Sequence, residues 1–150
     1  EMLRVEVVVR NVAAGSLCRR LGIEALKRFD PPIVEFYLKD DDLHDPIITQ
    51  DHIRVMDLAT QSQVDQMRSD ALTINSVMRS FLEQRSMVLV DFKLEFGLKD
   101  GELVLGDEIS PDTCRFHDAK TGEIMDKDRF RQDMGGFIEA YTEVLERVSS

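Results

Sequence analysis

The sequence predicts an α+β fold, a mainly antiparallel sheet with a long helix and a C-terminal helix packed on it. Three observations predict it. β-Branched runs such as Val5 to Asn11 (VEVVVRN) alternate with stretches of helical periodicity. One strand turns back on itself at LKDGEL, so at least part of the sheet is antiparallel. With 150 residues, 43% of them hydrophobic, the chain can build one domain with a real core.

The elements follow in order. Alternation in the first strand puts Glu6, Val8 and Arg10 on one face and Val7 and Val9 on the other. A glycine turn in AAGS then leads to Ser16, a candidate cap for a short helix that runs to Leu21 and stops at Gly22. Pro31 and Pro32 introduce a second strand, Ile33 to Leu38, followed by the polar loop DDDLHDP. From about Ser62 to Arg85, the residues Val64, Met67, Ala71, Ile74, Met78 and Phe81 form an apolar helical stripe. Its methionines read as core filling. A helical segment from Lys127 to Met134 precedes Gly135 and Gly136, and a last helix buries Phe137, Tyr141, Val144, Leu145 and Val148.

The run MVLV, Met87 to Val90, reads as a strand covered on both faces, and it continues into VDFKLEFG. There Phe92, Leu94 and Phe96 share one face while Asp91, Lys93 and Glu95 share the other. With Lys99, Asp100 and Gly101 as a three-residue hairpin loop, Lys93 faces Asp107. A loop of Asp100 and Gly101 alone sets Asp107 against Leu94 on the apolar face, so charge burial favours the longer loop. The resulting patch of Asp91, Lys93, Glu95 and Asp107 reads either as a solvated ribbon or as an oxygen-donor site suited to Mg²⁺.

Composition narrows the function classes. Twenty-nine acidic against 19 basic side chains give a net charge of -10, which argues against a nonspecific nucleic-acid or anionic-membrane binder. Cys18 and Cys114 lack metal-ligand spacing and read as packing residues, and so small a cysteine count suits the cytoplasm. His44, His52 and His117 show no ligand spacing either. No signal peptide or membrane-spanning run is visible.

VEVVVRNVAAGS, LHDP, VDFKLEFG, LGDEISPDTCR and MDKDRFRQ, in this order and at these separations, resemble the SAICAR synthetase family of purine biosynthesis. The resemblance runs through essentially the whole chain and implies that family's fold. It implies a ligase that uses ATP to join L-aspartate to the carboxylated aminoimidazole ribonucleotide (CAIR), with Mg²⁺ as cofactor. On this resemblance Glu95, Asp107, Asp45 and Asp91 serve the metal, and Lys93 with Asp91 lies at the reacting carboxylate. Met2 and Glu6, with Glu95, meet the nucleotide cofactor. Arg10, Ser16 and Arg115 grip the ribose 5'-phosphate, with Asp112, Lys127 and Arg131 near the substrate. On residues alone, Arg10 could instead pair with Glu6, and Asp45 could be only a turn residue.

Two departures from the family pattern are local: Arg4 stands where a proline is common, and GIEALKRFDP is altered. A larger one is expected upstream, since the family's glycine-rich, lysine-bearing domain over the ATP phosphates has no counterpart in these residues. The chain thus resembles a C-terminal portion that is inactive alone and prone to self-association as a homo-oligomer through uncovered apolar surface. The alternative is a noncatalytic metabolite-binding or assembly module that keeps the fold.

Overall fold

The computed structural model describes residues 1–150, apart from the side chain of Phe130. Among them run β1 (Met2–Val12), α1 (Ser16–Leu21), β2 (Arg28–Leu38), β3 (Ile47–Ile48), α2 (Gln50–Val55), α3 (Gln61–Glu83), β4 (Met87–Lys99), β5 (Glu102–Leu105), β6 (Cys114–Asp118), α4 (Asp128–Arg131) and α5 (Phe137–Ser149). One antiparallel sheet has the order β3-β2-β1-β4-β5, with β6 also on β4. The α+β expectation is correct. None of the helices among the described residues is long and apolar enough to cross a membrane.

Alternation along the central strands makes two unlike faces. Val5, Val7 and Val9 of β1 and Phe92, Leu94 and Phe96 of β4 enter the core with Val64, Met67 and Ala71 of α3 and Val144 of α5. α3 starts at a capping box: Thr60 accepts from the Gln63 backbone N–H, and the Gln63 side chain accepts from that of Thr60. On α5 the buried seam is Ala140, Val144 and the partly covered Val148, a strict four-residue spacing. Leu145 and Phe137 are therefore exposed, at 63% and 39%, contrary to the sequence expectation.

One polar pair lies inside the apolar layer. Asn11 of β1 and Asn75 of α3 exchange side-chain amide hydrogen bonds of 2.7 and 2.9 Å, and Asn11 also donates to the Leu89 carbonyl. Both are buried, so the pair fixes the docking of helix on sheet at one register. Asn75→Ala strands the Asn11 amide and should cost about 2–3 kcal/mol in chemical denaturation. A loss under about 0.5 kcal/mol would show that Asn11 finds another partner.

Two sequence expectations are corrected here. β2 begins at Arg28 rather than Ile33, because the chain bulges between Arg10 and Val12 and so pairs Val12 with Arg28 beyond the prolines. The β4–β5 hairpin closes on two residues, since Lys99 pairs with Glu102 and Phe96 with Leu105. Asp100 and Gly101 both have positive φ (52° and 81°), the mirror-image turn that an Asp-Gly pair favours. Asp107 escapes the apolar face all the same. The named strand ends at Leu105, Gly106 bonds to the Glu95 carbonyl, and Asp107 turns out into solvent.

Candidate functional site

The polar face of the sheet is built by register. Glu6 lies between Tyr37 and Glu95, Val8 between Glu35 and Lys93, and Arg10 between Ile33 and Asp91, with Arg115 of β6 beyond Asp91. Strand alternation carries these side chains to the side away from the helices. Two charged groups result.

The first is the Glu6–Glu95 pair. Like charges directly opposite each other on neighbouring strands repel, and two ammonium groups offset this. Lys93 Nζ donates to Glu6 (3.2 Å) and Glu95 (3.1 Å), and Lys39 Nζ donates to Glu95 (2.8 Å). Burial raises the Glu6 pKa against the pull of Lys93. Burial also works against the Glu95 charge, but hydrogen bonds from Lys39 and Lys93 outweigh it and hold that carboxyl below its usual range. The pair is thus polarised, with Glu6 the readier proton holder. The charge of Asp45 reaches Glu6, and its side chain accepts from the Asp40 backbone N–H at 2.7 Å.

The second group is a chain of alternating charges across four strands. Arg20 pairs with Glu35, Glu35 with Arg10, Arg10 with Asp91 (3.1 Å), Asp91 with Arg115 (3.1 Å), and Arg115 with Asp128 (2.7 Å). Removing one member of such a buried series uncovers its neighbour's charge. Ser16 is the first residue of α1 rather than its cap. Gly15 occupies the cap position, and Ser16 Oγ accepts from Arg10 (3.3 Å) and Arg20 (3.5 Å).

The structure therefore splits the expected acidic patch. Glu95 stays with Lys93, Asp91 belongs to the guanidinium chain, and Asp107 is exposed beside the hairpin. Among the described residues no three His, Cys, Asp or Glu side chains converge as a metal-holding group. Two facing carboxylates nevertheless fit Mg²⁺, which takes one or two protein carboxylates and fills its octahedron with water and phosphate oxygens. Arg10 pairs with Glu35 and Asp91 rather than with Glu6.

The remaining expected residues lie outside these two groups. Met2 pairs with Gly97, and its sulfur packs where Cβ atoms on Gly97 and Gly106 would stand. Asp112 accepts from Tyr141 Oη at 2.9 Å. Lys127 is half-buried, its ammonium destabilised by burial and by Arg115 and Arg131, with Asp91 and Asp128 pulling the other way. Cys114 is buried, and burial pushes its thiol up to about 11, so it is no nucleophile at neutral pH.

Sequence reading missed Glu35, Tyr37, Arg20, Lys39 and Asp128. Glu35 and Tyr37 did carry a signal, a period-two polar pair within an apolar strand. Arg20 and Asp128 carried none, since their partners lie on other elements.

Asp126 braces this edge. It is fully buried and accepts from the backbone N–H groups of Phe116 (2.7 Å) and Asp128 (2.8 Å). Burial pushes its carboxyl up to about 6 from 3.8. A raised acid binds its proton more tightly in the folded state, so its contribution to stability should fall between about pH 4 and 6, by roughly 3 kcal/mol. Urea midpoints across that range, wild type minus Asp126→Asn, should show this slope; parallel profiles would refute it.

An antiparallel sheet with one apolar face under helices and one charged face of paired carboxylates and guanidiniums defines a single-sheet α+β protein with an ionic site. The chain belongs to the SAICAR synthetase family, whose model matches residues 1–148. A phosphoribosylaminoimidazole-succinocarboxamide synthase of Persephonella marina is 61% identical over 99% of the chain, which spans 62% of that relative's length. A SAICAR synthetase solved in complex with ADP is 48% identical with a TM-score of 0.95, this chain spanning 64% of it. The corresponding enzyme of Ehrlichia chaffeensis also superposes at 0.95, with 41% identity, 99% of this chain and 64% of its own covered.

Proposed function

We propose that the chain is the sheet-bearing part of an enzyme that joins L-aspartate to CAIR with hydrolysis of ATP, releasing the succinocarboxamide, ADP and phosphate. One observation carries this reading: a carboxylate–lysine group and a guanidinium–hydroxyl group lie side by side on one sheet face. The substrates match in kind, since one end of the ribonucleotide is a phosphate and the other a carboxylate that must meet the ATP phosphates.

A carboxylate is a poor electrophile, and phosphoryl transfer from ATP makes it an acyl phosphate that the aspartate amine can attack. Glu95 and the facing Glu6 would hold Mg²⁺, with Asp107 and Asp45 bordering the pair, and the bound ion would neutralise phosphate charge; Asp91, expected to join them, is taken up by Arg10 and Arg115. Lys93, anchored by Glu6 and Glu95, would set its ammonium beside the imidazole carboxylate, whose acyl oxygen gains charge as the amine adds to the acyl phosphate. Met2 and Glu6 border the nucleotide. Arg10, Ser16 and Arg115 hold the ribose phosphate, a role suited to forked guanidinium donors. Asp112, Lys127 and Arg131 would lie near the substrate.

The relatives extend beyond this chain, and we place the glycine-rich cover of the ATP phosphates in that further part. ADP release by the full-length protein should require ATP, aspartate and CAIR together, and this chain alone should show little. Release that ignores aspartate or CAIR would overturn the ligase reading. Full turnover by the chain alone would overturn the need for the further part.

A further inference from the structure

We propose that Arg20 is a further ligand of the substrate's phosphomonoester, the solvent-facing arm of a three-guanidinium grip around Gly15 and Ser16. The proposal rests on the reading that Arg10, Ser16 and Arg115 hold that phosphate. Arg10 and Arg20 donate to the same two neutral oxygens. Ser16 Oγ receives them at 3.3 and 3.5 Å, and Tyr37 Oη at 3.1 and 3.2 Å. The two guanidiniums thus converge on one spot, and Glu35 binds both from behind.

Arg115 reaches the same place from the other side. A Cβ on Gly15 would fall 2.8 Å from its Nη2. The three differ in access: Arg10 leaves 4% of its side chain exposed, Arg115 15% and Arg20 28%. Among the described residues Arg10 and Arg115 are each held by two carboxylates, whereas Arg20 pairs with Glu35 alone. Its Nη1 spends its hydrogen bonds on neutral hydroxyls near the limit of useful length. A phosphoryl oxygen is a far stronger acceptor for those N–H groups, and Arg20 can turn to it without leaving Glu35.

The test uses the full-length enzyme with Arg20→Gln, and Arg115→Gln as the reference. A charge-assisted hydrogen bond to phosphate implies that Arg20→Gln raises the KM for CAIR about tenfold or more, with kcat changing less. The KM should also rise less steeply with salt than in the wild type, because one phosphate contact is gone. A KM within twofold of wild type, with Arg115→Gln strongly raised, makes Arg20 only the counter-ion of Glu35 and overturns the proposal. If both variants leave the KM unchanged, the phosphate reading itself fails and this proposal with it.

Discussion

Glu95→Gln in the full-length protein should lower ATP-dependent turnover by at least about a hundredfold while the fold survives. The substitution keeps the side chain's size and removes its charge. Lys39 then loses the carboxylate it donates to at 2.8 Å, and Lys93 is left with Glu6 alone. Any divalent cation at the Glu6–Glu95 pair loses the partner that stays ionised most readily, because burial favours a proton on Glu6. Lys39 is on the surface and can rehydrate, so the stability cost should stay small next to the catalytic one. Steady-state ADP release, with circular dichroism to confirm folding, checks this. Turnover within twofold of wild type would remove Glu95 from the metal and from the reaction.

Gly15→Ala should be nearly as damaging, for a different reason. Gly15 sits at φ 60° and ψ -135°, a conformation glycine visits readily and other residues do not. Its absent Cβ is also the space that the Arg115 guanidinium fills. Arg115 cannot swing away cheaply, since Asp91 and Asp128 clamp it from two elements. A methyl group should therefore cost roughly 2 kcal/mol of stability and push the guanidinium off its mark. In the full-length enzyme, isothermal titration with CAIR should show about a hundredfold weaker binding. Affinity within twofold would mean that Arg115 moves freely and that the phosphate lies elsewhere.

The two variants separate the two halves of the face. Loss of Glu95 should spare CAIR binding more than turnover, and loss of the Gly15 gap should do the reverse. This follows from register, which places Glu6 and Glu95 four pairs along from Arg10 and Asp91 on the same strands.

Local sequence determined the central strands and their faces. Period-two alternation in VEVVVRN and VDFKLEFG needs no partner to declare itself, because a strand's side chains alternate whatever it pairs with. The stripe of α3 was legible for the same reason from Val64 to Met78, but its last member, Phe81, lies exposed and Leu82 takes the buried place. Motif resemblance carried the candidate residues Glu6, Arg10, Ser16, Asp91, Lys93, Glu95 and Arg115 onto this one face. What depends on two or more elements was not legible. β6 is short, and it becomes a strand by filling the edge of β4 that β5 leaves free. The hairpin register went against the burial argument because the ladder ends before Asp107 reaches the core, which turn chemistry and strand length decide together. Tertiary structure alone decided which charges meet. Ion pairing depends on distances between side chains tens of residues apart, so it gave Asp91 to Arg10 and Arg115, left Glu95 to Lys39 and Lys93, and brought in Glu35, Arg20 and Asp128.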